Sequence, residues 1–426
     1  MSMSGAEIFQ EFRWRGLIAQ STDEAALVAA FDKGPLTAYI GFDPTAPSLH
    51  VGNLVVLLVL RRLQMAGHRP IALVGGATGL VGDPSGRSSE RTLNDEEIVE
   101  QWVARIRLQL ERFLTFDQSP TGALVANNYD WTKDISALEF LRDIGKHFSV
   151  NQMLAKDSVS ARLEGGGISY TEFSYQVLQS LDYLELYRRH NCVLQMGGSD
   201  QWGNITAGLD LIRRVDQGSA HALTVPLMTK ADGGKFGKTA SGTIWLDPEM
   251  TSPYAFYQNW IATDDRDVVP YLKILTFLSQ EEIAALAAQV ESAPERREAQ
   301  KALARELTTL VHGADQYQRV EQASRALFGQ AELSDLDGAT LAGALSEVPR
   351  ATIAAGEMPT LIDLMALTGI VDSKSAARRA IREGGAYLNN VKITDEAFTP
   401  TLNDLVGDRF LVLRRGKREI GAVEIA

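Results

Sequence analysis

Three groups of side chains in this sequence have types and spacings suited to chemistry. The first lies in the loop Gly41-Phe42-Asp43-Pro44-Thr45-Ala46-Pro47-Ser48-Leu49-His50-Val51-Gly52-Asn53, which opens directly into a helical pattern. His50 and Asn53 are three apart and so project from one side of its first turn. Gly52 lets a planar group approach the backbone, and a helix N-terminus favours anions. Together they make a platform for a phosphate and a base. Taken alone, a histidine at a helix start is more often a cap. The second group is Lys235-Phe236-Gly237-Lys238-Thr239, preceded by Ala231-Asp232-Gly233-Gly234. Two lysines three apart in a Gly-rich loop can fold over a polyphosphate; the pentapeptide alone reads as a solvated basic turn. The third group is Tyr175, Gln179 and Asp182, a polar stripe at i, i+4 and i+7 beside the apolar Phe173, Val177, Leu181 and Leu184. A buried polar stripe needs partners, which a ligand can supply. Without one it is equally an ordinary polar helix face.

The elements around these groups alternate. Short apolar runs at Leu36–Phe42, Pro70–Gly76, Leu124–Ala126 and Val193–Met196 read as buried strands. Helical patterns cover Val51–Ala66, Asn94–Phe116 (with Asn94 as N-cap and Glu96 and Glu97 in the first turn), Thr171–Arg189 and Gln201–Val215. Such alternation predicts an α/β fold, a Rossmann-like parallel sheet wrapped by helices. Ligands then bind at the carboxyl ends of the strands. The loops there are 41–53, 75–87, 127–131 and 197–204. From Asp264 to Phe328 the periodicity is helical without a convincing strand. Residues 329–358, rich in Ala, Gly, Ser and Asp, read as a linker. The expected organisation is a catalytic domain over 1–248 containing the 231–241 loop, an α-helical domain over 249–328, and a small domain over 359–426.

Composition narrows the classes. With 426 residues, 45% apolar and 23% charged, the chain is ordinary globular protein of more than one domain. Its longest apolar run, Leu54–Leu60, is too short to span a bilayer. The polar N-terminus lacks a signal-peptide pattern, which places the protein in the cytoplasm. One cysteine, Cys192, excludes an internal disulfide and a multi-thiolate metal site, and reads as a buried structural thiol. No protein-bound metal is expected. The net charge of -12 excludes a surface that grips nucleic acid everywhere, but not a local basic patch. Residues 359–426 carry about +1 against about -13 for the rest. There Lys374, Arg378, Arg379 and Arg382 lie along one helix, followed by Gly384-Gly385 and Tyr387-Leu388-Asn389-Asn390. A solvated basic face is the alternative.

His50-Val51-Gly52-Asn53 resembles the HIGH signature of class I aminoacyl-tRNA synthetases, with Asn in the fourth position, and Lys235–Thr239 resembles their KMSKS loop. The two stand in the family's order, about 185 residues apart. KFGKT is the form the loop takes in bacterial tyrosyl-tRNA synthetases. Tyr39–Asp43, Gly76–Arg87, Asn127–Trp131, Tyr170–Tyr175 and Gly197–Asn204 are similar to the same family, so the resemblance covers nearly the whole chain. It implies activation of tyrosine by ATP with Mg²⁺, transfer to tRNA(Tyr), an S4-like RNA-binding domain at the C-terminus, and a homodimer with no membrane association.

By this resemblance Asp182 and Tyr39 bind the phenolic hydroxyl, and Tyr175, Gln179 and Asp83 take the ammonium. Gln201, after Gly198 and Asp200, approaches the carboxylate or ribose. Thr45 and His50 face the polyphosphate, and Asn53 the ribose or phosphate. Lys235 and Lys238, with Arg87 and Arg91, neutralise charge, and Thr239 of the same loop is a further catalytic candidate. Asp43 and Asp200 hold an ammonium or ribose, and Gly52 packs on ATP. Lys156, Arg213 and Arg214 are candidates for the tRNA acceptor end. A site that hydrogen-bonds a hydroxyl rejects phenylalanine because its own polar groups are left unpaired, which fits the lack of an inserted editing domain between the signatures. The rivals are a tryptophanyl enzyme, disfavoured by Asp182 opposite Tyr39; a non-catalytic RNA-binding protein on the same fold, disfavoured by His50, Lys235 and Lys238; and a dinucleotide oxidoreductase, whose G-x-G-x-x-G fingerprint the glycines at 75, 76, 79 and 82 do not form.

Overall fold

The computed structural model describes residues 3–85, 95–156, 159–160, 162–163, 167–234, 236–239, 242–336, 338–354, 356, 358–416 and 419–426, with the backbone alone at 238, 239 and 339. It forms two compact units: residues 1–247 with 264–299, and 248–263 with 300–426.

The first unit is built on a six-stranded sheet in the order β1 (Gln20–Ser21), β6 (His221–Val225), β5 (Cys192–Gly198), β2 (Thr37–Phe42), β3 (Arg69–Val74), β4 (Leu124–Asn127). All neighbours are parallel except β1 with β6. The α/β expectation therefore holds. The sequence reading missed β1 and β6. β1 is only two residues long and makes the sheet edge through a partner some 200 residues away; β6 lies between β1 and β5 and pairs with both. Consecutive strands run outward from β2 through β3 to β4, and again from β5 to β6. The direction reverses between β2 and β5, where a parallel sheet opens a ligand crevice.

Helices cover the sheet: α1 (Gly5–Arg15), α2 (Val51–Met65), α3 (Glu96–Leu110), α4 (Tyr170–His190), α5 (Trp202–Asp216) and α6 (Asp265–Leu275). Two boundaries differ from expectation. α3 stops at Leu110 rather than Phe116, because Phe113 and Leu114 leave the helix to stay buried in a turn before β4. Its N-cap position is Asp95; Asn94 lies outside the described residues. α2 buries Leu54, Leu57, Leu58 and Leu63 completely, so the helix that begins at His50 is fixed by its full apolar face. No helix among the described residues is long and apolar enough to cross a membrane.

The second unit carries helices such as Pro253–Ile261, Ala314–Leu327 and Gly338–Leu345, then a five-stranded sheet. That sheet is ordered β11 (Val391–Lys392), β10 (Ala386–Leu388), β12 (Phe410–Arg415), β13 (Glu419–Ile425), β9 (Arg350–Ile353). The stretch 329–358, read as a linker, is thus largely ordered. It holds a helix over Gly338–Leu345 and β9, whose parallel pairing with β13 joins it to the C-terminal sheet. A four-residue edge strand with a partner 70 residues away leaves no local signal.

Candidate active site

A cavity of about 400 Å³ opens at the carboxyl ends of β2 and β5. It gathers Tyr39, Asp43, Thr45, His50, Gly52, Asn53, Asp83, Tyr175, Gln179, Asp182, Gly198, Asp200 and Gln201, all expected from sequence. Their convergence follows from the fold. Tyr39 and Asp43 lie on or just past β2, His50 and Asn53 start α2, and Asp83 follows β3. Tyr175, Gln179 and Asp182 face inward from α4, and Gly198 to Gln201 leave β5.

Asp182 is buried to 2% exposure. Its Oδ1 accepts from Trp131 Nε1 at 2.9 Å and its Oδ2 from Asn128 Nδ2 at 3.0 Å. Burial pushes its carboxyl up to about 7, and the two donors pull the other way. Tyr39, 1% exposed, has a buried hydroxyl with no hydrogen-bond partner among the described residues, and burial followed by the nearby Asp182 charge raises its pKa well above the usual phenol value. Gln179 Oε1 and Gln195 Oε1 are likewise buried without partners among the described residues. An orphaned buried polar group is costly. Three of them lining one cavity mark a place built for a polar ligand.

A chain of hydrogen bonds runs from this end across the site. Asn128 Nδ2 also donates to Thr78 Oγ1 at 2.9 Å, Thr78 Oγ1 donates to Asp43 Oδ1 at 2.7 Å, and Tyr175 Oη donates to Asp43 Oδ2 at 2.7 Å. Gly75 is needed beside it: a Cβ there would sit 2.1 Å from Asp43 Oδ1 and 2.3 Å from Thr78 Oγ1. Gln201 Nε2 donates to Asp83 Oδ2 at 2.7 Å. Asn128, Thr78, Trp131 and Gln195 had no role in the sequence reading. A buried asparagine after a strand was the available signal, but only the fold shows what it holds.

At the α2 start, His50 is a cap that also lines the cavity. Its Nδ1 accepts the backbone N–H groups of Gly52 at 3.0 Å and Asn53 at 3.3 Å, while Asn53 Oδ1 accepts from His50 N at 3.1 Å. The two residues form a reciprocal cap, and both line the cavity. Because Nδ1 accepts, the imidazole is neutral with its proton on Nε2.

Not every expected residue converges. Lys235, Arg87 and Arg91 lie outside the described residues, and Lys238 and Thr239 are described by backbone only, as the strand β7 (Lys238–Thr239) pairing with β8 (Gly242–Thr243). Lys156 is half-buried with Nζ on Gly203 O, to which Gln176 Nε2 also donates at 3.2 Å. Arg214 donates to His147 O at 2.6 Å, and Arg213 pairs with Asp210 at 2.8 Å. In the second unit the helix Lys374–Arg382 buries Ala377, Ala380 and Ile381 and exposes its cations. Lys374 pairs with Asp363 at 2.6 Å and Arg382 with Glu396 at 2.8 Å. Arg378 and Arg379 have no ion pair among the described residues.

Comparison with known proteins follows the same lines. The family model described as tRNA synthetases class I (W and Y) matches residues 32–329, and that of the tyrosine–tRNA ligase SYY-like C-terminal domain matches 340–421. The chain is 61% identical over 421 residues to a tyrosine–tRNA ligase of Streptomyces griseus, covering 98% of this chain and 99% of that protein. It is 57% identical over 423 residues to one of Mycobacterium tuberculosis, covering 99% of each. Among solved structures it is similar to a C-terminally truncated mitochondrial tyrosyl-tRNA synthetase of Aspergillus nidulans, with TM-score 0.68 and 32% identity over 76% of this chain and 97% of that one. The chain belongs to the class I tRNA synthetases and, within them, to the tyrosine–tRNA ligases.

Proposed function

We propose that this protein activates L-tyrosine with ATP and transfers the tyrosyl group to the 3'-terminal ribose of tRNA(Tyr). The observation that carries this reading is the buried Asp182, held by Asn128 and Trp131 near the unpartnered Tyr39 hydroxyl. A phenol O–H donates to the carboxylate and accepts from Tyr39, which satisfies both; an indole N–H does only the first. Phenylalanine does neither: it leaves the buried Tyr39 hydroxyl unpaired and adds nothing to the donors Asp182 already has from Asn128 and Trp131.

In the first step a tyrosine carboxylate oxygen attacks the α-phosphorus of ATP, the bond to the β-phosphate oxygen breaks, and pyrophosphate leaves. No side-chain nucleophile is required, so orientation and charge neutralisation dominate. Asp182 and Tyr39 fix the ring end, and Tyr175, Gln179 and Asp83 the ammonium. Gln201 approaches the carboxylate or ribose from its bond to Asp83. Asp43 and Asp200 serve an ammonium or ribose. Thr45 and the His50 Nε2–H face the polyphosphate, Asn53 the ribose or phosphate, and Gly52 and Gly198 allow close approach of ATP. Lys235 and Lys238, with Arg87 and Arg91, oppose the developing charge, and Thr239 of the same loop is a further catalytic candidate. In the second step a ribose hydroxyl of the tRNA end attacks the tyrosyl carbonyl carbon and AMP leaves. Mg²⁺ enters as the companion of ATP. Among the described residues no three acidic, histidine or cysteine groups stand close enough together to hold a metal ion; phosphate oxygens and water are the ligands we propose for it.

The proposed division of labour is catalysis in 1–248, a helical part over 249–328, and RNA binding in 359–426. Exposed Arg378 and Arg379, flanked by Lys374 and Arg382, suit a phosphate backbone. Lys156, Arg213 and Arg214 remain candidates for the acceptor end, with their present partners exchanged for phosphate. A homodimer is supported by apolar side chains exposed between 138 and 170, among them Leu138, Leu141, Val150 and Tyr170. The cytoplasm, where tRNA and ATP meet, is the proposed location. ATP–pyrophosphate exchange with each amino acid separately, without tRNA, tests the reading. Exchange with tyrosine alone is expected; exchange with tryptophan overturns the pocket assignment, and none at all overturns the activity.

A further inference from the structure

The described residues of the Gly-rich loop 231–239 (residue 235 lies outside them) are held from two sides by groups outside the cavity. At its entry the Ala231 N–H donates to Asp267 Oδ1 at 2.9 Å. Further along, the Phe236 ring meets the Tyr271 ring edge to face, with centroids 5.1 Å apart and planes at 72°. Asp267 and Tyr271 are four apart on α6, hence on one face, and both are buried. At its exit the chain is stitched to the residues around His50: Val51 N–H donates to Ile244 O at 3.1 Å and Leu246 N–H to Leu49 O at 2.9 Å. Between these anchors Gly237 has φ +73°, and a Cβ there would lie 2.6 Å from Val51 Cγ2. The loop backbone therefore rests directly on the first turn of α2.

The face that receives the loop is itself fixed to that helix. Arg15 of α1 donates to Lys273 O at 2.7 Å, Thr276 O at 3.1 Å and Leu278 O at 2.8 Å, and Arg62 of α2 donates to Thr276 O. Two guanidinium groups thus cap the carboxyl end of α6, where the helix dipole favours cations. α2 presents His50 at one end and grips α6 near the other.

We propose that Asp267 and Tyr271 are positioning residues for tyrosine activation, a latch that holds loop 231–239 against the first turn of α2 so that both signatures are referred to one rigid body. This rests on the activity proposed above. An edge-to-face ring pair biases an equilibrium by roughly two- to tenfold, and one net hydrogen bond by about fivefold. Such a latch favours the docked loop by a modest factor.

The test joins two readouts on the full chain. In Tyr271→Ala, kcat/KM for ATP in pyrophosphate exchange should fall roughly five- to tenfold, while the dissociation constant for tyrosine, by equilibrium dialysis, stays within about twofold. Tryptic cleavage after Lys230 to Lys238 should accelerate by a similar factor. Tyr271→Phe keeps the ring and should restore both. Asp267→Ala should act in the same direction and replaces Tyr271→Ala if that variant melts early. The latch is overturned if Tyr271→Ala leaves ATP kinetics and loop cleavage unchanged, if it weakens tyrosine binding in parallel, or if Tyr271→Phe is as impaired. A wild-type protein that exchanges nothing with tyrosine overturns the activity instead, and the cleavage rates still decide the latch.

Discussion

The cavity of the first unit and the basic helix Lys374–Arg382 of the second handle polar groups in opposite ways. In the cavity Asp182 is almost wholly buried, its oxygens are committed to Trp131 and Asn128, and Tyr39, Gln179 and Gln195 have buried atoms without partners among the described residues. On the helix the cations stand in solvent, two of them in surface ion pairs and two without an ion pair among the described residues. Buried groups have fixed positions and a large penalty for mismatch, so they discriminate one hydroxyl. Exposed charges are screened and replaceable, so they attract a polyanion without reading it. One chain with net charge -12 can do both because the second task needs only a local surface.

The strongest way to break this contrast is at Asp182. Asp182→Asn should weaken tyrosine binding about 10- to 100-fold, the range for a hydrogen bond to a charged group. With the carboxyl raised to about 7, wild-type affinity should fall as pH drops from 8 to 6, because the ionised form is the better acceptor. The variant should lose that dependence, and a flat wild-type profile would refute the assignment. Folding runs the other way. A carboxyl whose folded pKa is raised favours the folded state at low pH and loses that contribution as pH rises from near 4 through about 7. Asp182→Asn should therefore raise Tm at pH 8 more than at pH 5.

Next in size is Asn128→Ala. It removes one donor from Asp182 and breaks the chain to Thr78 and Asp43. Tyrosine affinity should fall about tenfold, and the pH midpoint should move upward, since that donor stabilises the ionised form. An unchanged midpoint would mean the network does not tune Asp182.

Arg378→Ala with Arg379→Ala should reduce the slope of log affinity for tRNA against log salt by about one for each phosphate no longer neutralised. Tyrosine affinity should not respond to salt or to these substitutions. Equal salt slopes in both proteins would remove the helix from the RNA-binding surface. The smallest effect is expected for Lys374→Ala. Its pair with Asp363 is solvent-exposed, so Tm should stay within about 1 °C. A larger drop would show that the helix depends on its ion pairs and weaken the contrast with the cavity.

Much of the catalytic half was legible because its signals are local. Strand and helix periodicity placed the crevice, and motif contiguity placed Tyr39, Asp43, His50, Asn53 and the α4 stripe around it. What was not legible depends on distant partners. β1 and β9 gain their identity from strands far along the chain. Asn128 reads as a loop amide until Ala77 N–H donates to its Oδ1 at 2.7 Å and its Nδ2 reaches Asp182. Lys156 is expected from sequence at the tRNA acceptor end, and its bond to Gly203 O emerges only when α5 docks nearby.

The sequence by itself determined the α/β class, the crevice loops, the family and the identity of most residues facing the cavity. These depend on periodicity, turn chemistry and short spacings that each segment carries alone. The tertiary structure decided which polar atoms are buried and which of those remain unpartnered. It also decided that Arg15 and Arg62 cap α6 while Asp267 and Tyr271 receive the loop. Burial and pairing are properties of two segments at once, and their energies exist only after the chain has brought those segments together.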